Sequence, residues 1–326
     1  MKRTAEIEGF LARNGYAAAT AEPVAQDASF RRYLRLIGGP RRAVLMDAPP
    51  PEDIKAFMTI GRHLAGIGVS APAVFAADEE QGLLLEEDFG DRSVAHLIGH
   101  PIAPEVFDDI VDTLVVMQRA APPCDLPRWD ATAMATTAMG TLFEWWWPAM
   151  FGEPAPDEAR RQFGVALQTV LVPVAVGPQC LVHRDFFVEN LLWLPRRNGM
   201  NRIGVIDFQG AAIGHPAYDL VSLLQDARRD IPRDLAERTI RRYLAARPEL
   251  DVEQFHAAYA ACAAQRHLRV ACQWVRLARR DNRPAYLTHG PRTWRLLELA
   301  LRERAAAPLA SVIDRWIPPQ QRRNPS

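Results

Sequence analysis

The chain has 326 residues, 48% of them hydrophobic, with 39 acidic and 39 basic side chains. That is material for one or two globular domains, and zero net charge excludes a global pull toward nucleic acid or an anionic membrane. From Asp226 onward, however, 20 Arg and no Lys stand against 11 Asp and Glu, which reads as an arginine-rich solvated surface. No apolar run approaches the ~20 residues of a membrane-spanning helix. The N-terminal M-K-R-T-A-E-I-E-G-F lacks the apolar centre of a signal peptide. Cys124, Cys180, Cys262 and Cys272 are scattered, with neither a C-x-x-C pair nor zinc-ligand spacing. Reduced thiols and a cytoplasmic location are expected.

In chain order, Ile7 to Asn14 reads as a short helix stopped by Gly15. Ala21 to Leu36 reads as two strands around a turn at Asp27-Ala28-Ser29, with Phe30, Arg32, Leu34 and Leu36 alternating against Arg31, Tyr33 and Arg35. Ala43 to Met46 is a third strand, and Pro51-Glu52 opens a helix to about Ala65. Strands follow at Ala73–Ala77 and Leu83–Glu86. The pattern predicts a small antiparallel sheet with one helix over residues 1–88. The remainder, 89–326, reads as mainly helical: Pro104 to Arg119, Ala131 to Trp147, Glu158 to Val176, Leu235 to Ala246, Val252 to Arg280 and Arg292 to Arg304, with Pro318 to Ser326 as a frayed tail. Three consecutive tryptophans, Trp145 to Trp147, cannot all share one helix face, so one must leave the core.

Between these helices lies C-L-V-H-R-D-F-F-V-E-N-L-L-W-L, then a polar turn, then R-I-G-V-I-D-F-Q-G. Two apolar runs flank Pro195 to Asn201, which predicts a β-hairpin. Asp185 and Asn190 precede its first strand and Asp207 follows its second. The spacing H-R-D-x-x-x-x-N followed by I-D-F resembles the catalytic and metal loops of kinase-like phosphotransferases. The chain is similar to the aminoglycoside-phosphotransferase/choline-kinase family, and within it to the bacterial anomeric N-acetylmuramate/N-acetylglucosamine kinases. The stretches that carry this closer resemblance are D-A-S-F-R-R-Y (27–33), V-L-M-D-A-P (44–49), L-V-H-R-D (181–185), V-I-D-F-Q (205–209), Y-D-L-V-S-L-L (218–224), Q-R-H-L (265–268) and R-D-x-x-x-x-Y-L (280–287).

The resemblance implies a two-lobed α+β protein-kinase-like fold, with a small nucleotide-binding lobe and a larger helical lobe. It also implies ATP- and Mg2+-dependent transfer to a sugar hydroxyl. Asp185 would orient that hydroxyl and take its proton, while Asn190 and Asp207 would supply hard oxygen ligands to the metal. Asp219 would anchor the catalytic-loop backbone or cap its own helix. The backbone at Leu85, Glu86 and Glu87 would meet adenine, and the tip at Ser29 and Phe30 would cover the phosphates.

Several departures matter. No glycine-rich loop is present, and the only lysines are Lys2 and Lys55, so the phosphate-pairing lysine is missing; Met46 and Asp47 stand there instead. Arg31 and Arg32 are the replacement candidates, with an exposed edge strand as the alternative. The direct passage from Asp207 to Ala217 leaves no room for an activation segment, which points to a small-molecule acceptor. Glu144, Trp145, Arg266 and His267 are acceptor candidates, packing and solvation being the alternatives. Other acceptors, such as an aminoglycoside, and an inactive nucleotide-binding scaffold remain open; so do ATP against GTP and the oligomeric state.

Overall fold

Strand alternation in residues 31–36 organises the first part of the chain in the computed structural model, which describes residues 2–24, 31–50, 52 and 54–325. Strands β1 (Thr20–Pro23), β2 (Arg32–Ile37), β3 (Ala43–Asp47), β4 (Val74–Asp78) and β5 (Leu83–Glu87) form an antiparallel sheet in the order β1-β2-β3-β5-β4. The register pairs Leu34 with Leu45 and Leu45 with Leu85, so these three share a face. Helix α1 (Lys2–Arg13) covers that face with Phe10 and Leu11, beside Tyr16, Leu36 and Leu83. Each such side chain contributes roughly 1.5–3 kcal/mol on burial. Gly82 makes the tight turn into β5 at φ 61°, where a Cβ would strike the Ala48 carbonyl oxygen at 2.1 Å.

Helix α2 (Lys55–Gly66) buries Phe57, Ile60, Gly61 and Leu64 along one stripe. It starts later than expected: Glu52 precedes it instead of opening it, and Gly68 at φ 83° lies just past its end.

The second part opens with α3 (Ala103–Arg119), β6 (Arg128–Trp129) and α4 (Ala131–Gly140), which Asp130 caps by accepting from the Ala133 N–H at 3.0 Å. Helix α4 does not run on as one α-helix. Thr141–Trp146 forms a π-helical turn, and α5 (Trp147–Phe151) resumes across Pro148. The altered pitch buries both Trp146 and Trp147 and leaves Trp145 half-buried, so the tryptophan predicted to leave the core is Trp145. Helices α6 (Asp157–Val170) and α7 (Val172–Val176) lead to β7 (Cys180–Val182).

The predicted hairpin is present as β8 (Leu191–Trp193) and β9 (Ile203–Val205), antiparallel. After it come β10 (Ala212–Gly214), paired with β6 and β7, and then α8 (Ala217–Leu224), α9 (Arg233–Ala246), α10 (Val252–Arg280) and α11 (Gly290–Ala300). Helix α12 (Ala307–Trp316) was not anticipated; Pro308 sits in its first turn, where a missing N–H costs nothing. The tail is not frayed. Trp146 Nε1 donates to the Arg323 carbonyl (2.9 Å) and Trp294 Nε1 to Asn324 Oδ1 (3.0 Å), satisfying two buried indoles.

The chain divides into two compact units, Met1–Leu97 with Glu189–Gly210, and Ile98–Val188 with Ala211–Ser326. The sequence reading placed the boundary at 88 and kept the hairpin with the second part. The hairpin groups with the sheet because Val205 N donates to the Ser70 carbonyl (2.8 Å) and Trp193 N to that of Arg92 (2.7 Å). Phe208 also stacks on Phe57 of α2 at 4.6 Å. All four cysteines are free, and only Cys124 is exposed. Among the described residues no helix is long and apolar enough to cross a membrane.

Candidate active site

In the second unit, β7 delivers the chain into the loop that carries Asp185. Asp219, fully buried on α8, accepts from the backbone N–H of His183 (2.7 Å) and of Arg184 (2.9 Å). It makes no cap for its own helix, whose N-cap, Pro216, has no side-chain bond. Burial pushes the Asp219 carboxyl up to about 6 although both N–H groups favour its charge. Arg184 sits at φ 74°, a left-handed conformation that costs a non-glycine residue roughly 1–2 kcal/mol. The two bonds to Asp219 hold it there. His183 is fully buried, and its Nδ1 accepts from the Asp185 N–H at 3.3 Å, which makes it a loop support.

Asp185 itself is open to solvent. Desolvation by the surrounding protein pushes its pKa up, but Arg269, Arg266, His183 and Arg184 outweigh it and hold the carboxyl below its ordinary value. Arg266 and Arg269, one turn apart on α10, are not the solvated face that the composition suggested. Arg266 is 3% exposed and donates to Ser222 Oγ at 2.6 Å; Arg269 is half-buried and donates to Tyr218 Oη at 3.2 Å. Their described partners are these hydroxyls and no carboxylate, and the Nε of each is buried without an acceptor. Aromatic rings hold this charge: Arg184 lies 4.0 Å over Trp129, Arg269 5.8 Å over the same ring, and Arg266 6.0 Å over Tyr218. Trp129 and Tyr218 meet edge to face at 5.6 Å. These two aromatics were missed; Tyr218 stands beside the recognised Asp219, and nothing in the sequence marked Trp129.

In the first unit, Asn190 and Asp207 flank the hairpin. Asn190 Nδ2 donates to Asp207 Oδ2 at 3.4 Å, Gln209 Nε2 donates to Asp207 Oδ1 at 2.6 Å, and Ile206 N donates to the Asn190 carbonyl at 3.1 Å. Asp207 adopts φ 60°, so the strained position falls on the carboxylate itself. One carboxylate and one amide, both hard oxygen donors, suit Mg2+, which takes one or two protein ligands and keeps water and phosphate for the rest. No group of three or more His, Cys, Asp or Glu forms a metal cage among the described residues.

The remaining sequence candidates separate cleanly. Ser29 and Phe30 lie outside the described residues. Arg31 is 8% exposed and pairs with Glu52 at 2.9 Å. Arg32 is on the opposite face, its side chain 55% exposed, and is committed with Arg3 to the fully buried Asp47. Its assignment to the nucleotide is therefore withdrawn, since β2 alternation turns it toward α1. The adenine contacts expected from the backbone of Leu85 to Glu87 are corrected too. On a central strand alternate residues bond to either neighbour, and β3 and β4 take up the backbone of Leu85 and Glu86, while the Glu87 N–H donates to the Ala73 carbonyl at 2.9 Å. Glu87 pairs by its side chain with Arg197. Glu86 is 7% exposed with Oε2 buried and unbonded, and burial, reinforced by Asp88, pushes its carboxyl up to about 8.

His267 is fully buried, its Nε2 2.7 Å from Gln225 Oε1, and desolvation followed by Arg266 and Arg292 lowers its pKa to about 3. It is a neutral core histidine, and its candidacy as an acceptor ligand ends there. Glu144 is exposed and Trp145 half-buried on the π-helical turn, which packs against α10, the helix of Arg266 and Arg269.

Comparison with known proteins gives a consistent relationship. Residues 20–256 match the phosphotransferase enzyme family. An N-acetylmuramate/N-acetylglucosamine kinase from Caulobacter vibrioides is 33% identical over 99% of both chains. A choline/ethanolamine kinase family protein from Mesorhizobium loti superposes with a TM-score of 0.67 at 16% identity, over 95% of this chain and 99% of that one. The streptomycin–ATP complex of APH(2")-IIa superposes with a TM-score of 0.59 at 17% identity, over 81% and 89% respectively.

Proposed function

The chain belongs to the phosphotransferase enzyme family and transfers phosphate to a hydroxyl acceptor, and we propose that its acceptor is the anomeric hydroxyl of N-acetylmuramate or N-acetylglucosamine, with Mg-ATP as donor. The observation that carries the acceptor is the pair of arginines without carboxylate partners beside Asp185. Two guanidinium groups held by rings and hydroxyls, each with an unbonded Nε–H, suit an anion, and N-acetylmuramate brings a lactyl carboxylate on the same small sugar. A polycationic aminoglycoside would meet repulsion at the same place.

Asp185 would accept a hydrogen bond from the acceptor hydroxyl, fix its direction and take its proton as the bond to phosphorus forms. Its lowered pKa keeps it ionised and ready to accept. Asn190 and Asp207 would hold Mg2+, which when bound offsets the charge of the phosphates. Arg31, on the sheet face that also presents Tyr33, would supply the positive charge that the missing lysine leaves to others, and Glu52 fixes its head. Retention of the base argues against an inactive scaffold.

The test is ADP release with Mg-ATP against N-acetylmuramate, N-acetylglucosamine, simple hexoses and aminoglycosides, with the phosphate located by NMR. Turnover confined to the N-acetyl sugars, at carbon 1, is expected. Arg266→Ala or Arg269→Ala should raise KM for N-acetylmuramate roughly tenfold more than for N-acetylglucosamine, the loss of about one charged hydrogen bond. Turnover of aminoglycosides alone would overturn the proposal.

A further inference from the structure

We propose that the Glu86 side chain reads the base of the bound nucleotide and sets adenine against guanine. The assignment rests on the reading above that Arg31 and Asp207 serve the phosphates and metal of a bound nucleotide. In the register, Glu86 of β5 faces Val44 of β3, and Val44 faces Arg35 of β2; Tyr33, Met46 and Leu84 share that face. It is the face turned away from α1. Val74 of β4 flanks Glu86 on its other side. Among these apolar neighbours the carboxyl is 7% exposed and keeps one oxygen buried without a hydrogen-bond partner. Such a group calls for a partner the protein does not supply.

Tyr33, on this face, lies within electrostatic reach of Glu86, of Arg31 and of Asp207. A nucleotide with its phosphates near Asp207 and Arg31 would therefore bring its base toward Glu86. Backbone pairing on both sides of Glu86 leaves its side chain as what this residue offers a base. The charged and titratable groups around it are Tyr33, Arg31 and Arg35 on or beside β2 and Asp88 past the end of β5. Arg35 is bound to both Asp88 and Asp91.

A protonated carboxyl presents one donor and one acceptor, whereas the ionised form presents acceptors only. Adenine offers the complement of the first, an N6 amino donor beside the N1 acceptor. Guanine offers N1–H and an N2 amino group, two donors that suit a carboxylate. Burial keeps the proton on Glu86 up to about pH 8, so adenine is the matched base near neutrality.

The test is calorimetric titration of the full chain with Mg-ATP and with Mg-GTP, at about pH 6 and about pH 9, for the wild type, Glu86→Gln and Glu86→Ala. Wild type should prefer ATP by roughly five- to a hundredfold at the lower pH, the range of one bidentate base contact. The preference should narrow at the higher pH, as the carboxyl ionises. Glu86→Gln keeps a donor and an acceptor at every pH, so its preference should not change between the two. Glu86→Ala should lose the discrimination. An Ala variant with the wild-type ratio, or a Gln variant whose ratio follows pH as the wild type does, overturns the role of Glu86 while leaving nucleotide binding intact. Failure of both nucleotides to bind wild type would remove the nucleotide reading and this assignment together.

Discussion

Asp185 and Glu86 are both carboxyls that the surrounding protein desolvates to some degree, Asp185 at the open surface and Glu86 in the interior, and they end on opposite sides of neutrality. Asp185 has Arg269 and Arg266 within electrostatic reach, with His183 and Arg184 beside them, and its pKa falls. Glu86 has apolar strand neighbours and the like charge of Asp88, and its pKa rises to about 8. Desolvation alone favours the neutral acid in both places; what differs is whether the fold supplies cations. In the second unit Arg266 and Arg269, without a described salt-bridge partner, lie within electrostatic reach of the ionised Asp185. Around the sheet of the first unit the arginines pair with other carboxylates, Arg31 with Glu52, Arg32 and Arg3 with Asp47, and Arg35 with Asp88 and Asp91. The same side-chain chemistry is thus held ionised in one unit and protonated near neutrality in the other.

The largest expected effect comes from removing the ionised member. Asp185→Ala should lower kcat roughly 10²–10⁴-fold, the usual contribution of a positioned base. Its melting temperature should stay within a few degrees of wild type, because the side chain is open to solvent. Full turnover by this variant would end the assignment of the base.

The neutral member is probed by stability. Glu86 has a folded pKa of about 8 against 4.5 in the unfolded chain, so the folded state holds its proton more tightly. Its favourable contribution is complete below about pH 4.5 and is lost as pH rises through 8. Urea melts of wild type and Glu86→Gln across that window should show wild type losing on the order of 5 kcal/mol relative to the variant. Parallel pH curves would mean that Glu86 is ionised in both states.

These two carboxyls also divide what the sequence could and could not disclose. Asp185, Asn190 and Asp207 stand at fixed spacings around a hairpin whose apolar runs and polar turn are local signals, and the hairpin formed where expected. Alternation in β2 limited the inward candidates to one of Arg31 and Arg32, but the choice between them lay in Asp47, a long-range partner on β3. Burial of Arg266 and of His267 was equally out of reach. A helix face rich in arginine looks solvated until the aromatic rings of Trp129 and Tyr218 arrive from distant segments. The π-helical turn at Thr141–Trp146 escaped because it is a tertiary solution to packing Trp146 and Trp147 together, invisible to any single period. Glu86 read as a hinge residue because its strand neighbours, not its own sequence, bury it.

The smallest effect expected is the most direct test of why the two carboxyls differ. If Arg269 helps keep Asp185 ionised, Arg269→Gln should raise the pKa of that carboxyl. The base must be ionised to accept the hydroxyl proton, so activity rises with pH through its pKa, and the acid limb of the kcat/KM profile should move to higher pH. The shift should be small, because Asp185 is open to water and Arg266 remains. N-acetylglucosamine is the acceptor to use, since it carries no carboxylate whose own binding would change. A purely structural role for Arg269 would lower activity evenly at every pH and leave the limb where it was. That result would put the ionisation of Asp185 down to Arg266, His183 and Arg184, and would leave Arg269 as a structural support of the site.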